Sequence, residues 1–346
     1  MSNRNFTREE LDAVLSTMGV EDQTAVDRYG SGHINDTFKV ETRHGERFIL
    51  QRVNTDIFKD PEMLKRTILR VTGHLAAKGV ATLEVVGYEN PWRLYRFLEG
   101  YTSRDVVSEP AQAYDVARAF AKFQNDLADL PAPRLDDIIP KFHDTPDRLR
   151  QLDEAMKVDF KGRLAKIGDE LRFVDRWRPL AGRLVELMAK GGIPERVTHN
   201  DTKINNVLVA PDGTAVVIDL DTTMPGTALS DFGDMVRTSS AAAAEDEADL
   251  SKVYSKKEYF RELVRGYLEG AKFLNEAEKA NLAFAGRLST FEVGIRFLAD
   301  YLNGDTYFHT AYPDHNLVRA RNQFKMVESM EEQAEEYERI VKEFDV

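Results

Sequence analysis

Several polar residues in one short stretch have the types and spacing to work on a phosphate. Residues 197–209 read Val-Thr-His-Asn-Asp-Thr-Lys-Ile-Asn-Asn-Val-Leu-Val, and after Pro211-Asp212-Gly213 the chain continues through Ala215-Val216-Val217-Ile218 into Asp219-Leu220-Asp221. Two short apolar runs joined by a turn predict a hairpin, which returns the chain to its starting end. Asn206, just before the first strand, and Asp219, just after the second, are thereby expected side by side. An amide oxygen and a carboxylate are both hard oxygen donors and suit Mg2+ shared with substrate phosphates. Asp201, in the preceding loop, is close enough to aim at the same ligand, and Lys203 can neutralise a phosphoryl group in transfer. His199 reads as an organiser of the loop rather than as an acid or base. Asp221 is either a further neighbour of metal or phosphate or a turn residue.

The scaffold for these groups divides in two. Thr7 and Glu10 form a capping box ahead of Leu11, Val14, Leu15 and Met18, which predicts an amphipathic helix. Three strand-like runs follow at Val26–Tyr29, Thr37–Glu41 and Arg47–Val53, with glycine turns between them. Asp60-Pro61 opens a helix that stops at Gly79, and Ala81–Tyr88 and Trp92–Phe97 read as two more strands. Beyond Gly100 the pattern is helical, interrupted near Asp159–Gly162 and by the β segment 197–220. The last stretch, Met326–Phe344, reads as one charged amphipathic helix. We therefore expect an α+β chain with an N-terminal lobe at 1–97, a hinge at 98–101 and a mainly helical lobe at 102–346.

Composition excludes several classes of function. With 47 basic and 59 acidic residues the net charge is −12, which repels nucleic-acid backbones and anionic lipid. No run approaches the ~20 apolar residues of a membrane span, and the polar Met1–Glu10 stretch lacks the apolar core of a signal peptide. No cysteine is present, which rules out disulfides, thiolate metal sites and a cysteine nucleophile and fits a reducing cytoplasm. Neither nucleic acid, nor membrane, nor a protein partner is expected.

The spacing of His199, Asp201, Lys203 and Asn206 resembles the protein-kinase pattern His-x-Asp-x-Lys-x-x-Asn, and the interval from Asp201 to Asp219 matches that to the kinase metal Asp. Asp231-Phe232-Gly233 carries the letters of the kinase metal motif, but no strand pairs it back to the loop. Asp231 is read instead as an acceptor for backbone N–H groups of the loop, and Asp219 as the metal ligand. Upstream, Tyr29-Gly30-Ser31-Gly32-His33-Ile34-Asn35 joins two predicted strands. Gly30, Ser31 and Gly32 would let backbone amides approach phosphates. The strand Phe48–Val53 offers Gln51 or Arg52 where a phosphate-binding lysine is expected, and the choice between them stays open. Phe97 to Tyr101, with Phe97 and Glu99, falls at the lobe junction, where a backbone edge would hold adenine.

Over nearly its whole length the chain resembles the N-acetylhexosamine 1-kinases, within the aminoglycoside phosphotransferase and choline kinase-like branch of the protein-kinase-like fold. The resemblance rests on the Tyr29–Asn35 and Thr198–Lys203 strings, on Ile218–Thr222 with Met224-Pro225-Gly226, and on Asp231-Phe232-Gly233-Asp234. Arg296–Leu302, and Tyr312-Pro313 with His315–Arg319, extend it. It implies a two-lobed kinase that moves the γ-phosphoryl group of ATP, with Mg2+ as cofactor, to the anomeric (C1) hydroxyl of N-acetylglucosamine or N-acetylgalactosamine. It further implies Asp201 as base, Asn206 and Asp219 as metal ligands, and Arg296 and Tyr307 on the sugar. His33 would lie in the loop over the site, with Asp221 and Thr222 near the substrate. This family also lacks a lysine at the strand position noted above. From the residues alone, Arg296 and Asp300 could be an i,i+4 ion pair and Tyr307 a core residue. Two other readings are another small-molecule kinase and a non-catalytic nucleotide-binding regulator. Arg296, Arg319 and Arg321 disfavour a polycationic acceptor, and the retention of Asp201, Asn206 and Asp219 disfavours the regulator.

Overall fold

The computed structural model describes residues 5–30 and 34–345. The chain opens with α1 (Arg8–Thr17), β1 (Gln23–Arg28), β2 (Asp36–Thr42), β3 (Arg47–Arg52), α2 (Pro61–Ala77), β4 (Val85–Glu89) and β5 (Trp92–Arg96). Helices α3 (Pro110–Leu127), α4 (Thr145–Val158), α5 (Gly168–Trp177) and α6 (Arg183–Ala189) follow, then the short strands β6 (Arg196–Thr198), β7 (Val207–Val209), β8 (Ala215–Val217) and β9 (Met224–Gly226). The remainder is α7 (Ala228–Ser239), α8 (Lys257–Gly270), α9 (Glu276–Lys279), α10 (Leu282–Leu302), α11 (His315–Glu332) and α12 (Ala334–Phe344). Among the described residues no helix is long and apolar enough to cross a membrane.

Two compact units share these elements. The first comprises Met1–Ser103, Asp129–Ile139 and Leu208–Met224, and the second Arg104–Ala128, Pro140–Val207 and Pro225–Val346. In the first unit an antiparallel five-stranded sheet runs in the order β1-β2-β3-β5-β4. Side chains alternate across such a sheet, and the two faces differ sharply here. Phe38, Val40, Phe48, Leu50, Trp92 and Leu94 cluster with Leu11 and Leu15 of α1, whose capping box forms as expected. The opposite face carries Thr37, Lys39, Gln51, Arg93 and Tyr95, set by the pairings Thr37 with Gln51 and Gln51 with Arg93. Asp60 caps α2 at the Met63 N–H, and α2 packs on β4 and on the turn at 220–222.

The second unit is built around α10, which is apolar on nearly every side and buried along almost its whole length. A helix of that kind belongs in a core. It packs against α4, α7 and α11. Its approach to α7 is very close, since a Cβ on Gly233 would stand 2.5 Å from the Ala285 carbonyl oxygen.

Two expected elements differ in detail. The strand expected from Ala81 begins only at Val85. The expected single helix Met326–Phe344 is parted at Gln333, which leaves helical geometry and donates from Nε2 to the Ser255 and Ser329 carbonyls. The antiparallel sheet with a helix and the mainly helical remainder make the chain α+β with a protein-kinase-like fold.

Candidate functional site

In the second unit, β6 leads into a loop at 199–206 that is held from beneath by α7. Asp231 accepts from the His199 N–H at 2.8 Å and the Asn200 N–H at 2.7 Å, and from Gln124 Nε2 at 2.6 Å. Asp234 accepts from the Thr202 N–H at 2.8 Å, and the Thr202 hydroxyl donates to the Asp231 carbonyl at 2.7 Å. The kinase-like letters at 231–234 therefore lie on a helix, where both acids bind backbone, as read from the sequence for Asp231. Burial pushes the Asp231 carboxyl up, against the pull of His199 and the two backbone amides. Asp234 is buried too, but Arg237 overrides burial and holds it below the usual carboxylate range. His199 is fully buried, edge-on to Phe120 and Phe123, and accepts at Nδ1 from the Asp201 N–H at 3.3 Å. It organises the loop.

Above this floor Asp201, Lys203 and Asn206 come together. Lys203 Nζ lies 2.9 Å from Asp201 Oδ2, and Asn206 Nδ2 donates to Oδ2 at 3.0 Å and to the Asp201 carbonyl at 2.9 Å. With its Nδ2 turned to Asp201, the Asn206 amide keeps Oδ1, the metal-type donor, for another partner. The backbone is constrained as well. Asn200 has φ +65°, a conformation costly for a residue with a Cβ. Gly226 lies so close that a Cβ there would meet Thr198 Oγ1 at 2.6 Å.

Arg296 and Tyr307 also meet in this unit. The Arg296 guanidinium lies 5.3, 5.7 and 6.0 Å from the ring centres of Phe142, Phe308 and Tyr307, within cation–π range. Tyr307 is 46% exposed and so is not a core residue. Asp300 is engaged elsewhere: Oδ1 accepts from the Thr306 and Tyr307 N–H groups, and Oδ2 from the Phe308 N–H and Asn316 Nδ2. Three consecutive amides of a loop folding back over the end of α10 need an acceptor, and Asp300 is it.

In the first unit, Asp219 follows the β7–β8 hairpin with φ +58°, and residues 220–222, with half-buried Thr222, form a short turn of 3-10 helix. Asp221 is 2% exposed. Arg93 donates to it through Nη1 at 2.5 Å and Nη2 at 3.0 Å, and Asn35 Nδ2 donates at 2.6 Å. Gln51 Oε1 accepts from Arg93 Nε at 3.0 Å and from Nη2 at 2.8 Å. Burial alone would ease the proton off Arg93, but Asp221 more than offsets it. Of the two residues considered in place of a lysine, Gln51 lies on this face. Arg52 lies on the α1 face, its guanidinium 5.9 Å from the Phe6 ring centre.

Gly30 has φ +78°, while Ser31, Gly32 and His33 fall outside the described residues. Phe97 is edge-on to Tyr29, with Lys39 Nζ 5.3 Å and the Arg47 guanidinium 5.2 Å from its ring centre. Glu99 forms an ion pair with Arg47.

Sequence reasoning missed Arg93, His143 and Glu292. Arg93 did leave a signal, a charge inside the otherwise apolar run Trp92-Arg93-Leu94-Tyr95. His143 and Glu292 stand 149 residues apart, with Nδ1 2.8 Å from Oε1, and nothing local pointed to them.

A profile of the phosphotransferase enzyme family matches residues 26–268. Among solved structures, the chain is similar to a choline/ethanolamine kinase family protein from Mesorhizobium loti (15% identity, TM-score 0.62, 97% of this chain and 99% of that one). It is also similar to an ethanolamine kinase from Plasmodium vivax (15% identity, TM-score 0.60, 93% and 91%). A choline kinase from Streptococcus pneumoniae matches at 12% identity and TM-score 0.60, over 93% of this chain and all of the other, 100%. At such identities the likeness is one of fold.

Proposed function

Since the chain belongs to the phosphotransferase enzyme family, we propose that it is a small-molecule kinase acting from ATP on the anomeric hydroxyl of N-acetylglucosamine or N-acetylgalactosamine. The observation that carries this reading is the arrangement at Asp201. Its Oδ2 is fixed by Lys203 and Asn206, so the carboxylate is oriented before any acceptor arrives.

Oδ1 of Asp201 then takes the acceptor O–H and its proton, as the C1 oxygen bonds to the γ-phosphorus and the bond to the ADP oxygen breaks. Lys203 disperses charge on the group in transfer. Asn206, through Oδ1, and Asp219 fit Mg2+ as an amide and a carboxylate oxygen, and the ion, when bound, would screen the phosphate charges. Positioning and electrostatics carry such a reaction, with little covalent role for the protein. Gly30, with Ser31 and Gly32, serves the phosphates, and the backbone of 97–101, from Phe97 past Glu99, serves adenine. Arg296 and Tyr307 serve the sugar, and Thr222 and His33 are assigned to the same substrate.

The structural relatives include kinases named for choline and ethanolamine, so a cationic acceptor is the second reading. The electrostatics around Arg296 favour the first. Arg148 and Arg296 flank the same Phe142 ring at 5.9 and 5.3 Å, and burial together with the charge of Arg296 pulls Arg148 below the usual guanidinium range. A cationic acceptor beside them would be repelled, whereas a neutral polyol finds donors and aromatic surface.

The test is ADP release against free N-acetylated sugars, amino alcohols and aminoglycosides. Asp201→Asn should fold and bind nucleotide normally and turn over ~10²-fold or more slowly, the scale of a lost general base. Near-normal turnover in that variant removes Asp201 from the mechanism, and faster turnover of an amino alcohol than of any sugar removes the sugar assignment.

A further inference from the structure

Asn200, the residue before Asp201, is gripped on every side. Its N–H donates to Asp231 at 2.7 Å. Its side-chain Oδ1 accepts from the Thr198 hydroxyl at 3.1 Å. Its carbonyl oxygen lies 3.4 Å from His143 Nε2, a long hydrogen bond. A left-handed conformation at a non-glycine residue persists only where its surroundings over-determine it, and these contacts are those surroundings.

His143 is the unusual member. Its Nδ1 faces Glu292 Oε1 at 2.8 Å, and the other Glu292 oxygen accepts from the Thr145 hydroxyl at 2.6 Å. A carboxylate and a carbonyl oxygen can only accept, so both ring nitrogens must donate at once, which requires the doubly protonated ring.

We propose that His143, held by Glu292, is a positioning residue that in its imidazolium form fixes the backbone of the loop carrying Asp201. What the proposal says of turnover rests on the reading of Asp201 as base; what it says of loop order does not. The charges that act on the ring are Glu292 and Arg296 on α10 and Asp231 and Asp234 on α7, and Arg148 on α4 acts on Glu292. Burial disfavours the charged ring and Arg296 opposes it, but Glu292 with Asp234 outweighs both and raises the pKa above the ordinary histidine value. As pH rises through that value, Nε2 loses its proton and turns a lone pair toward the Asn200 carbonyl. The grip on the carbonyl is lost, and the loop can relax out of its strained form.

The experiment is amide hydrogen exchange over residues 198–206 against pH, corrected for intrinsic base catalysis, in full-length wild type, His143→Gln and Glu292→Gln. ADP-release turnover is measured beside it. In wild type, corrected exchange should rise about tenfold across the His143 titration, while kcat falls over the same interval and KM for ATP holds. The glutamine amide donates through its NH2 group and does not titrate, so His143→Gln should flatten both curves. Glu292→Gln removes the charge that keeps the ring protonated and should move both midpoints to lower pH. A pH-insensitive wild-type loop, or an unchanged profile in His143→Gln, overturns the proposal. Should Glu292→Gln fail to fold, the ring nitrogen resonances of His143 in wild type report its protonation directly, and a ring already neutral at the pH of maximal turnover overturns the proposal. If no acceptor yields ADP while exchange behaves as described, the kinase reading falls and the grip stands. If ADP release is normal in all three proteins and exchange is flat, the reverse holds.

Discussion

Asp231 and Asp221 are both buried carboxylates that hold chain segments bearing the proposed chemistry, and they do so by different means. Asp231, in the helical unit, accepts from neutral donors, two backbone amides and a glutamine side chain. Asp221, in the sheet unit, meets a full guanidinium and an asparagine amide. At Asp231, dipoles from a fixed backbone answer the carboxylate, while the neighbouring Asp234, which holds Thr202, is paired with Arg237. At the turn after Asp219 the buried charge of Asp221 is matched by another, the guanidinium of Arg93. A carboxylate answered by amides fixes the backbone itself, whereas one answered by an arginine ties two elements through side chains.

The comparison breaks most readily at Arg93. Arg93→Met leaves Asp221 buried and unmatched and should cost about 3–5 kcal/mol in urea denaturation, while the double change Arg93→Met with Asp221→Leu should recover most of it. A single variant as stable as wild type would mean that the pair does not tie the turn to the sheet. Asp231→Asn should cost less, about 1–3 kcal/mol, because its new NH2 faces a donor and leaves one hydrogen bond unmade. A loss equal to that of Arg93→Met would erase the distinction between the two carboxylates.

Smaller effects follow from pH. Asp234 and Glu292 are held below their ordinary values despite burial, by Arg237 and by His143. Their contribution is present above the unfolded carboxylate value of about 4 and is lost as pH falls through the lower folded values. His143 is shifted up, so its contribution is present below about pH 6.5 and is lost as pH rises through its folded value. Thermal midpoints against pH should therefore decline on both sides, and a wild-type profile flat on the alkaline side would contradict the His143 assignment. Asp231 runs the other way and makes the acid decline shallower. The least effect belongs to Tyr307→Phe, which should leave stability within about 0.5 kcal/mol, as befits an exposed side chain. It should alter KM for the acceptor alone, and a change in kcat without one in KM would remove Tyr307 from acceptor binding.

Much of this was legible in local spacing. Thr7 and Glu10 cap α1, the turn at Pro211–Gly213 joins β7 to β8, and His199 and Asp231 organise the loop as their positions suggested. Each depends on neighbours in the chain or on a motif whose geometry its spacing implies. Spacing was a poorer guide for one alternative. Arg296 and Asp300 are four apart on one helix, yet Asp300 serves the loop at 306–308, where three backbone amides converge on it.

What residue order alone determined is the chemical inventory of the 198–221 segment and the hairpin within it, since both are set by contacts a few residues long. Only the tertiary structure decided that Arg93 answers Asp221 from 128 positions away, that Gln51 rather than Arg52 shares their face, and that His143 meets Glu292 across 149. A charge in an apolar run announces that it needs a partner. It does not say which, because the partner is selected by the packing of distant elements, and no local period records that.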